Sequence, residues 1–206
     1  MDGDRAPLVG ICELAERHGA AVMVDEAHGA GVLGADGAGL VEELGLRERV
    51  LVQMGTLGKA LGSFGAYVAG SNGLVDLLVN RARTFIFTTG LPPAAVGAAS
   101  AAIDVVRREP ERRARVMENA RRIHEAIAAA GVAMPPLDSP ILPVVLGEER
   151  RTMAVCERLL EDGVFAQGIR PPTVPAGTCR LRVTLMATHT DEQIGRANAA
   201  FRRALE

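Results

Sequence analysis

The chain has 206 residues, 48% hydrophobic and 23% charged, with a formal net charge of −2. This balance excludes a disordered chain and a generally basic, nucleic-acid-binding one, and it leaves room for one or two domains with a real core. The longest apolar runs, Ala20 to Val24 and Leu51 to Met54, are strand-sized, well short of the roughly 20 residues a membrane-spanning helix needs.

Met1-Asp2-Gly3-Asp4-Arg5 contains no apolar signal region, so a soluble, cytoplasmic protein is expected. Pro7 opens a helix in which Leu8, Ile11, Leu14 and Ala15 share one face, and Gly19 closes it. Ala20 to Val24 reads as a buried strand ending at Asp25, followed by a glycine-rich loop from Gly29 to Gly39. Val50 to Met54 is the next buried strand, ending at Gly55-Thr56. Continuous rather than alternating apolar runs suit strands covered on both faces by helices, which points to an α/β sheet. Gly65 to Gly70 reads as a third strand, Ser71 as the cap of a helix over Leu74 to Val79, and Pro92-Pro93 as the start of a helix to about Arg108.

A second region is expected from 109 to 206, after a first from 1 to 108. It opens with a helix in which Val116, Ala120, Ile123 and Ile127 share a face and Gly131 ends the pattern. After the proline-rich stretch 134–143 the order is strand (141–146), helix (152–162), strand (164–169), strand (180–185) and helix (191–205), a small α+β unit. Glutamates interleave the arginines at 107, 108, 112, 113, 115, 121 and 122, so these read as a solvated helix face rather than a nucleic-acid surface. Cys12, Cys156 and Cys179 are odd in number and widely spaced, which argues against a disulfide framework or a zinc knuckle. No metal site is expected.

Twenty-two arginines accompany a single lysine, Lys59. Lysine can lose its proton near neutral pH and attack a carbonyl, whereas guanidinium stays charged. A lone lysine after an apolar strand is therefore a candidate nucleophile; the plainer reading is compositional drift in an arginine-favouring genome. Its neighbours favour the nucleophile. In an open α/β sheet ligands bind at the carboxyl ends of strands, and here one strand end offers Asp25-Glu26-Ala27-His28 and the next Thr56-Leu57-Gly58-Lys59. Together they supply the groups that pyridoxal phosphate needs: Asp25 for the protonated pyridine nitrogen, Lys59 for a Schiff base with the aldehyde, Thr56 for the phosphate and His28 for the ring hydroxyl. Taken singly, an acidic pair at a strand end is often only a helix cap, and one histidine is more often packed or solvated than a ligand. His18, His124 and His189 lack comparable company and read as structural.

Asp-Glu-Ala-His after a strand also occurs in helicase-type ATPases, but these need a Gly-x-x-x-x-Gly-Lys-Ser/Thr loop upstream. Here the Gly-Lys lies downstream, Gln53 stands where the first glycine belongs, and Ala60 takes the Ser/Thr place. The nucleotide reading fails on order and on chemistry.

Val24-Asp25-Glu26-Ala27-His28-Gly29, Gly55 to Gly62, Arg83-Thr84-Phe85-Ile86-Phe87-Thr88-Thr89, and Ile169-Arg170-Pro171-Pro172-Thr173-Val174-Pro175 with Arg180-Leu181-Arg182 together resemble the α-oxoamine synthases, a family of fold-type I pyridoxal phosphate enzymes. The resemblance implies part of an aspartate aminotransferase-like large domain followed by a small α+β domain. It implies that Lys59 is the Schiff-base lysine and the base at the substrate Cα, with His28 beside it. Asp25, His28 and Thr56 are implied as cofactor ligands. Thr88 and Thr89 are implied to reach a partner subunit's cofactor phosphate in a homodimer, Thr173 to contact substrate, and Arg182 to grip its carboxylate.

The Arg-Pro-Pro-Thr-Val-Pro stretch is similar to the biotin-pathway branch. That branch condenses L-alanine with pimeloyl-CoA or its carrier-protein thioester, releasing carbon dioxide and the thiol. Glycine-using branches that form 2-amino-3-ketobutyrate or 5-aminolevulinate stay open, as does a non-catalytic remnant acting as a folded or partner-binding module. Family members are about twice this length, and Met1-Asp2-Gly3-Asp4 resembles an internal stretch of theirs. The resemblance therefore implies that a phosphate-cupping glycine loop, a ring-stacking histidine and a serine ligand lie outside this chain, and that the chain alone binds the cofactor weakly.

Overall fold

The computed structural model describes all 206 residues. They form two compact units, Ala6–Arg113 and Met1–Arg5 with Ala114–Glu206. No helix is long and apolar enough to cross a membrane.

In the first unit, α1 (Leu8–Arg17) starts after Pro7 and ends at His18. Its inward face is Leu8, Cys12 and Ala15, packed with Val22, Leu40, Val41, Leu46 and Val50. Ile11 and Leu14, expected on that face, are exposed. At 3.6 residues per turn Leu14 lies about 120° round from Leu8 while Cys12 lies only about 40° away. The small apolar thiol therefore takes the core position.

The sheet has the order β1 (Met23–Asp25), β2 (Val52–Thr56), β3 (Ala66–Ala69). β1 runs parallel to β2, with Asp25 opposite Met54. β3 is antiparallel to β2, with Thr56 opposite Ala66 and Gly55 opposite Tyr67. Because side chains alternate along a strand, this register puts Met23, Asp25, Met54, Thr56 and Val68 on one face and Val24, Gly55 and Tyr67 on the other. The second face is covered: Val24 joins the α1 cluster, and Tyr67 packs with Leu57, Leu61, Ala99, Ala102 and Val106, the last three from α5 (Pro93–Arg108). The first face is open, with Met23 64% and Val68 42% exposed. The expectation that helices cover both faces is thus corrected: an apolar run tells that a strand is apolar, not that the cover belongs to the same chain.

Three helices complete the unit. α2 (Leu40–Glu43) follows the glycine-rich loop. α3 (Asn72–Arg81) is capped as expected, Leu74 N–H donating to Ser71 Oγ. α4 (Arg83–Ile86) is a single turn.

The second unit is a two-layer α/β sandwich. Its sheet is antiparallel, ordered β4 (Ile141–Gly147), β6 (Cys179–Thr184), β5 (Gln167–Ile169). Leu142, Val144, Leu181 and Val183 point to one face and are buried against α6 (Glu111–Ala129), α7 (Glu149–Glu161) and α8 (Asp191–Leu205) through Ile123, Ile127, Leu159, Ile194 and Phe201. α8 opens with a reciprocal cap, Gln193 N–H donating to Thr190 Oγ1 and Thr190 N–H to Gln193 Oε1. Several arginines of α6 are ion-paired: Arg121 with Glu118 and Glu125, Arg115 and Arg122 with Asp191. All three cysteines are free thiols.

Candidate functional site

The carboxyl ends of β1 and β2 lie side by side because the two strands are parallel neighbours. Asp25 pairs across to Met54, and Thr56 is two residues further along β2, so both side chains project from the open face. Asp25 Oδ1 accepts from Ala27 N–H at 2.8 Å, which turns the chain out of the strand and sets the carboxylate's rotation. Gly29 and Ala30 N–H both donate to the Glu26 carbonyl, and His28 sits exposed on the outside of that turn.

Thr56 Oγ1 is buried and lacks a hydrogen-bond partner. Buried hydroxyls are rarely left so, and this one stands at a strand end on the face that carries Asp25. Beyond it, Leu57 and Leu61 are buried against α5, while Gly58, Lys59 and Ala60 between them are exposed. Ser63 Oγ donates to the Ala95 carbonyl at 2.6 Å and Leu57 N–H to the Gly65 carbonyl at 2.9 Å. The loop that carries the sole lysine is thus pinned at both ends and presents its middle outward.

The loops after β1 and β2 touch. A Cβ on Gly31, whose φ is +80°, would meet the Ala60 Cβ at 2.8 Å. Only glycine suits that backbone region and that approach. The contact sets the loop bearing His28 against the loop bearing Lys59. Arg113 from α6 braces the same loop, donating to the Val106 and Ala35 carbonyls.

Glu26, the other half of the acidic pair, has a different task. It is 3% exposed; Oε1 accepts from Val41 N–H at 2.7 Å and Oε2 from Leu40 N–H at 3.0 Å. It therefore caps α2, whose own N-cap, Gly39, has no side chain to offer. Gly29 and Gly39 both run so close to this carboxylate that neither has room for a Cβ. Burial, and secondarily the Glu26 charge, push the Tyr67 phenol above its ordinary pKa. Nothing in the motif's letters separates capping Glu26 from outward Asp25; the signal was Gly39 followed by Leu40-Val41, a helix start without a capping side chain.

Thr88 and Thr89 follow α4 in an exposed segment beside the exposed Phe85 and Phe87. Thr173 and Arg182 belong to the second unit: Thr173 is exposed, and Arg182 is half-buried on β6, its Nε donating to the Met1 carbonyl at 3.1 Å. His124 Nε2 bonds the Pro135 carbonyl and His189 Nδ1 accepts from Met186 N–H, each within that unit. The structure therefore gathers Asp25, His28, Thr56 and Lys59 at one end of one sheet. The donor set of carboxylate, imidazole, unsatisfied hydroxyl and outward amine fits a small phosphorylated heterocyclic aldehyde.

The chain is similar to known proteins over its whole length. It is 54% identical to the 8-amino-7-oxononanoate synthase of Anaeromyxobacter dehalogenans over 205 residues, covering 100% of this chain and 52% of that protein. Its fold superposes on a variant serine palmitoyltransferase from S. paucimobilis bearing a PLP–myriocin aldimine, with a TM-score of 0.94, 34% identity, and coverage of 99% of this chain and 52% of that one. An 8-amino-7-oxononanoate synthase from Francisella tularensis matches with a TM-score of 0.80 and 28% identity, over 94% of this chain and 57% of that one. The chain spans about half the length of the curated relatives it matches. Residues 1–201 match the model of the aminotransferase class I and II family, and the chain belongs to that family.

Proposed function

We propose that this chain is the lysine-bearing portion of a pyridoxal phosphate-dependent α-oxoamine synthase. The reaction condenses L-alanine with pimeloyl-CoA or the carrier-protein thioester, giving 8-amino-7-oxononanoate, carbon dioxide and the free thiol. The observation that carries the reading is the buried, partnerless Thr56 hydroxyl, two residues beyond Asp25's partner Met54 and on the same face of the sheet, on the strand that leads into the only lysine. The 54% identity to an 8-amino-7-oxononanoate synthase supports the choice of alanine and the pimeloyl thioester over the glycine-using branches.

Pyridoxal phosphate supplies an aldehyde and an electron-withdrawing ring that acidifies the Cα–H of an amino acid attached to it. Asp25 would hold the proton on the ring nitrogen, fixed in rotation by its bond from Ala27. Thr56 would donate its hydroxyl to the phosphate, giving the orphaned oxygen a partner, and His28 would bond the ring hydroxyl. Lys59 would hold the aldehyde carbon and afterwards move the proton at Cα, a task for which a primary amine is suited once partly desolvated. In the second unit Arg182 would take the substrate carboxylate through its planar donors and Thr173 would contact substrate. Thr88 and Thr89 would reach the phosphate bound by a second copy in a homodimer, and the setting would be cytoplasmic.

Adding pyridoxal phosphate to the chain, alone and co-expressed with a polypeptide spanning the remaining half of its relatives, tests this. An absorbance band near the visible edge that Lys59→Ala abolishes is expected, weak for the chain alone and strong for the pair. A band indifferent to Lys59→Ala, or none with the second half present, refutes the enzyme reading and leaves a folded, non-catalytic module.

A further inference from the structure

Lys59 is exposed, as are Gly58 and Ala60 on either side of it. Its stem is a flexible chain of methylenes, so the place of its amine follows from how firmly the turn beneath it is held. That turn is loose by composition. Glycine stands at 58 and again at 62, where φ is +58°, and glycine has the widest backbone freedom of any residue.

Two kinds of contact hold it. Leu57 and Leu61 are buried with Ala99 of α5, but apolar contact is non-directional and tolerates sliding and rotation. The directional restraint is Ser63. Its N–H donates to the Leu57 carbonyl at 2.8 Å, closing the turn on itself, and inside that closure Gly62 N–H donates to the Lys59 carbonyl at 3.0 Å. Its half-buried hydroxyl then donates to the Ala95 carbonyl at 2.6 Å, in the first turn of α5. One residue thus both closes the lysine turn and fixes the closure to a helix. The anchor is itself held: a Cβ on Gly65 would meet the Leu91 side chain at 2.8 Å, so the chain entering α5 is packed against the residue that follows the turn.

We propose that Ser63 is a positioning residue: its bond to Ala95 keeps the Lys59 turn in one orientation and so presents the amine at the carboxyl ends of β1 and β2. This rests on the reading of Lys59 as the lysine that takes pyridoxal phosphate, but one of its readouts needs no cofactor. In the whole chain, 15N relaxation of the Gly58, Lys59 and Ala60 amides reports the turn's motion. Added pyridoxal phosphate gives two more readings, the apparent affinity from the Lys59-dependent absorbance band and the circular dichroism of that band per unit absorbance. In Ser63→Ala the three amides become mobile while Leu57 and Gly65 stay ordered. The apparent affinity weakens about fivefold, what one neutral hydrogen bond contributes, and the dichroism falls because the chromophore is no longer held in one orientation. Ser63→Thr, which keeps the donor, retains all three.

Ser71→Ala separates positioning from general stability. It removes one serine hydrogen bond in the same unit, the cap from Leu74 N–H at the start of α3, and so weakens the fold by a similar amount while leaving the turn's motion, the affinity and the dichroism unmoved. Should Ser63→Ala keep the 58–60 amides ordered and the band unchanged, or should Ser71→Ala reduce the band as much, the positioning role is overturned. A turn loosened by Ser63→Ala in a chain that gives no Lys59-dependent band would refute the enzyme reading while upholding the latch itself.

Discussion

Replacing Glu26 by glutamine tests the claim that the acidic pair divides its labour between a ligand and a cap. In the folded chain both carboxylate oxygens accept backbone N–H groups, Val41 at 2.7 Å and Leu40 at 3.0 Å, in a site 3% exposed. Glutamine keeps the shape but turns one oxygen into an NH2 group that faces an N–H donor. One charge-assisted bond is lost, at about 1.5–3 kcal/mol, and the other falls to a neutral bond, at about 1 kcal/mol more, so the loss is about 3 kcal/mol. For a unit of roughly 100 residues that is a drop of about 10–20 °C in melting temperature.

Two local measurements isolate the cause. Hydrogen exchange at the Leu40 and Val41 amides should accelerate with the loss. The tyrosinate absorbance should also shift, and it reports one residue, because Tyr67 is the only tyrosine and there is no tryptophan. Burial, then the Glu26 charge, raise the Tyr67 pKa; Glu26→Gln removes the second cause and should lower the midpoint, leaving the part due to burial. A stability change under about 0.5 kcal/mol with unaltered exchange at Leu40 and Val41 would refute the capping role.

Two other perturbations probe the rest. Gly31→Ala forces a Cβ to within 2.8 Å of the Ala60 Cβ at a φ of +80°; a cost of about 1–3 kcal/mol is expected, together with a weaker Lys59-dependent band, and urea unfolding alongside the absorbance titration reads both. Asp191 has its carboxyl pKa lowered by hydrogen bonds from Arg122 and then Arg115. A carboxylate with a lowered folded-state pKa contributes stability that is present above its unfolded value and is lost as pH falls through the folded one. Asp191→Asn should therefore weaken the chain at neutral pH and converge with the unsubstituted chain below about pH 4. A gap that stays constant across denaturation series at roughly pH 2 to 7 would rule the ion pairs out as its source.

How much of this could be read from the letters depends on the range over which each feature is decided. α8, α6 and the capped α3 were legible because periodicity and caps are local: Val116, Ala120, Ile123 and Ile127 are all buried on one face, as their spacing implies. The inward face of α1 was misread because Cys12 looks neutral beside Ile11 and Leu14, and only the angular position relative to Leu8 decides. The open face of the first sheet was not legible, since the apolar run around Met23 is the same whether its cover lies in this chain or in another. The fitting of Met1–Arg5 to the second unit was equally hidden: Asp2 and its ion-pair partner Arg180 are 178 residues apart, and no periodicity links them.

Asp-Glu-Ala-His shows why a motif needs its three-dimensional surroundings. Asp25 and Glu26 are adjacent carboxylates at a strand end, and the alternation of the strand sends them to opposite sides of the sheet. On the open side a carboxylate can meet a ligand beside Thr56. On the covered side the other finds two backbone N–H groups and two glycines that have given up their side chains to admit it. Substituting glutamate for Asp25 would thus leave the fold's cap intact, whereas exchanging the two residues would lose it: aspartate at 26 is one methylene too short to reach Leu40 and Val41 from the same backbone. The order of the two acids is fixed by the cap as much as by the chemistry.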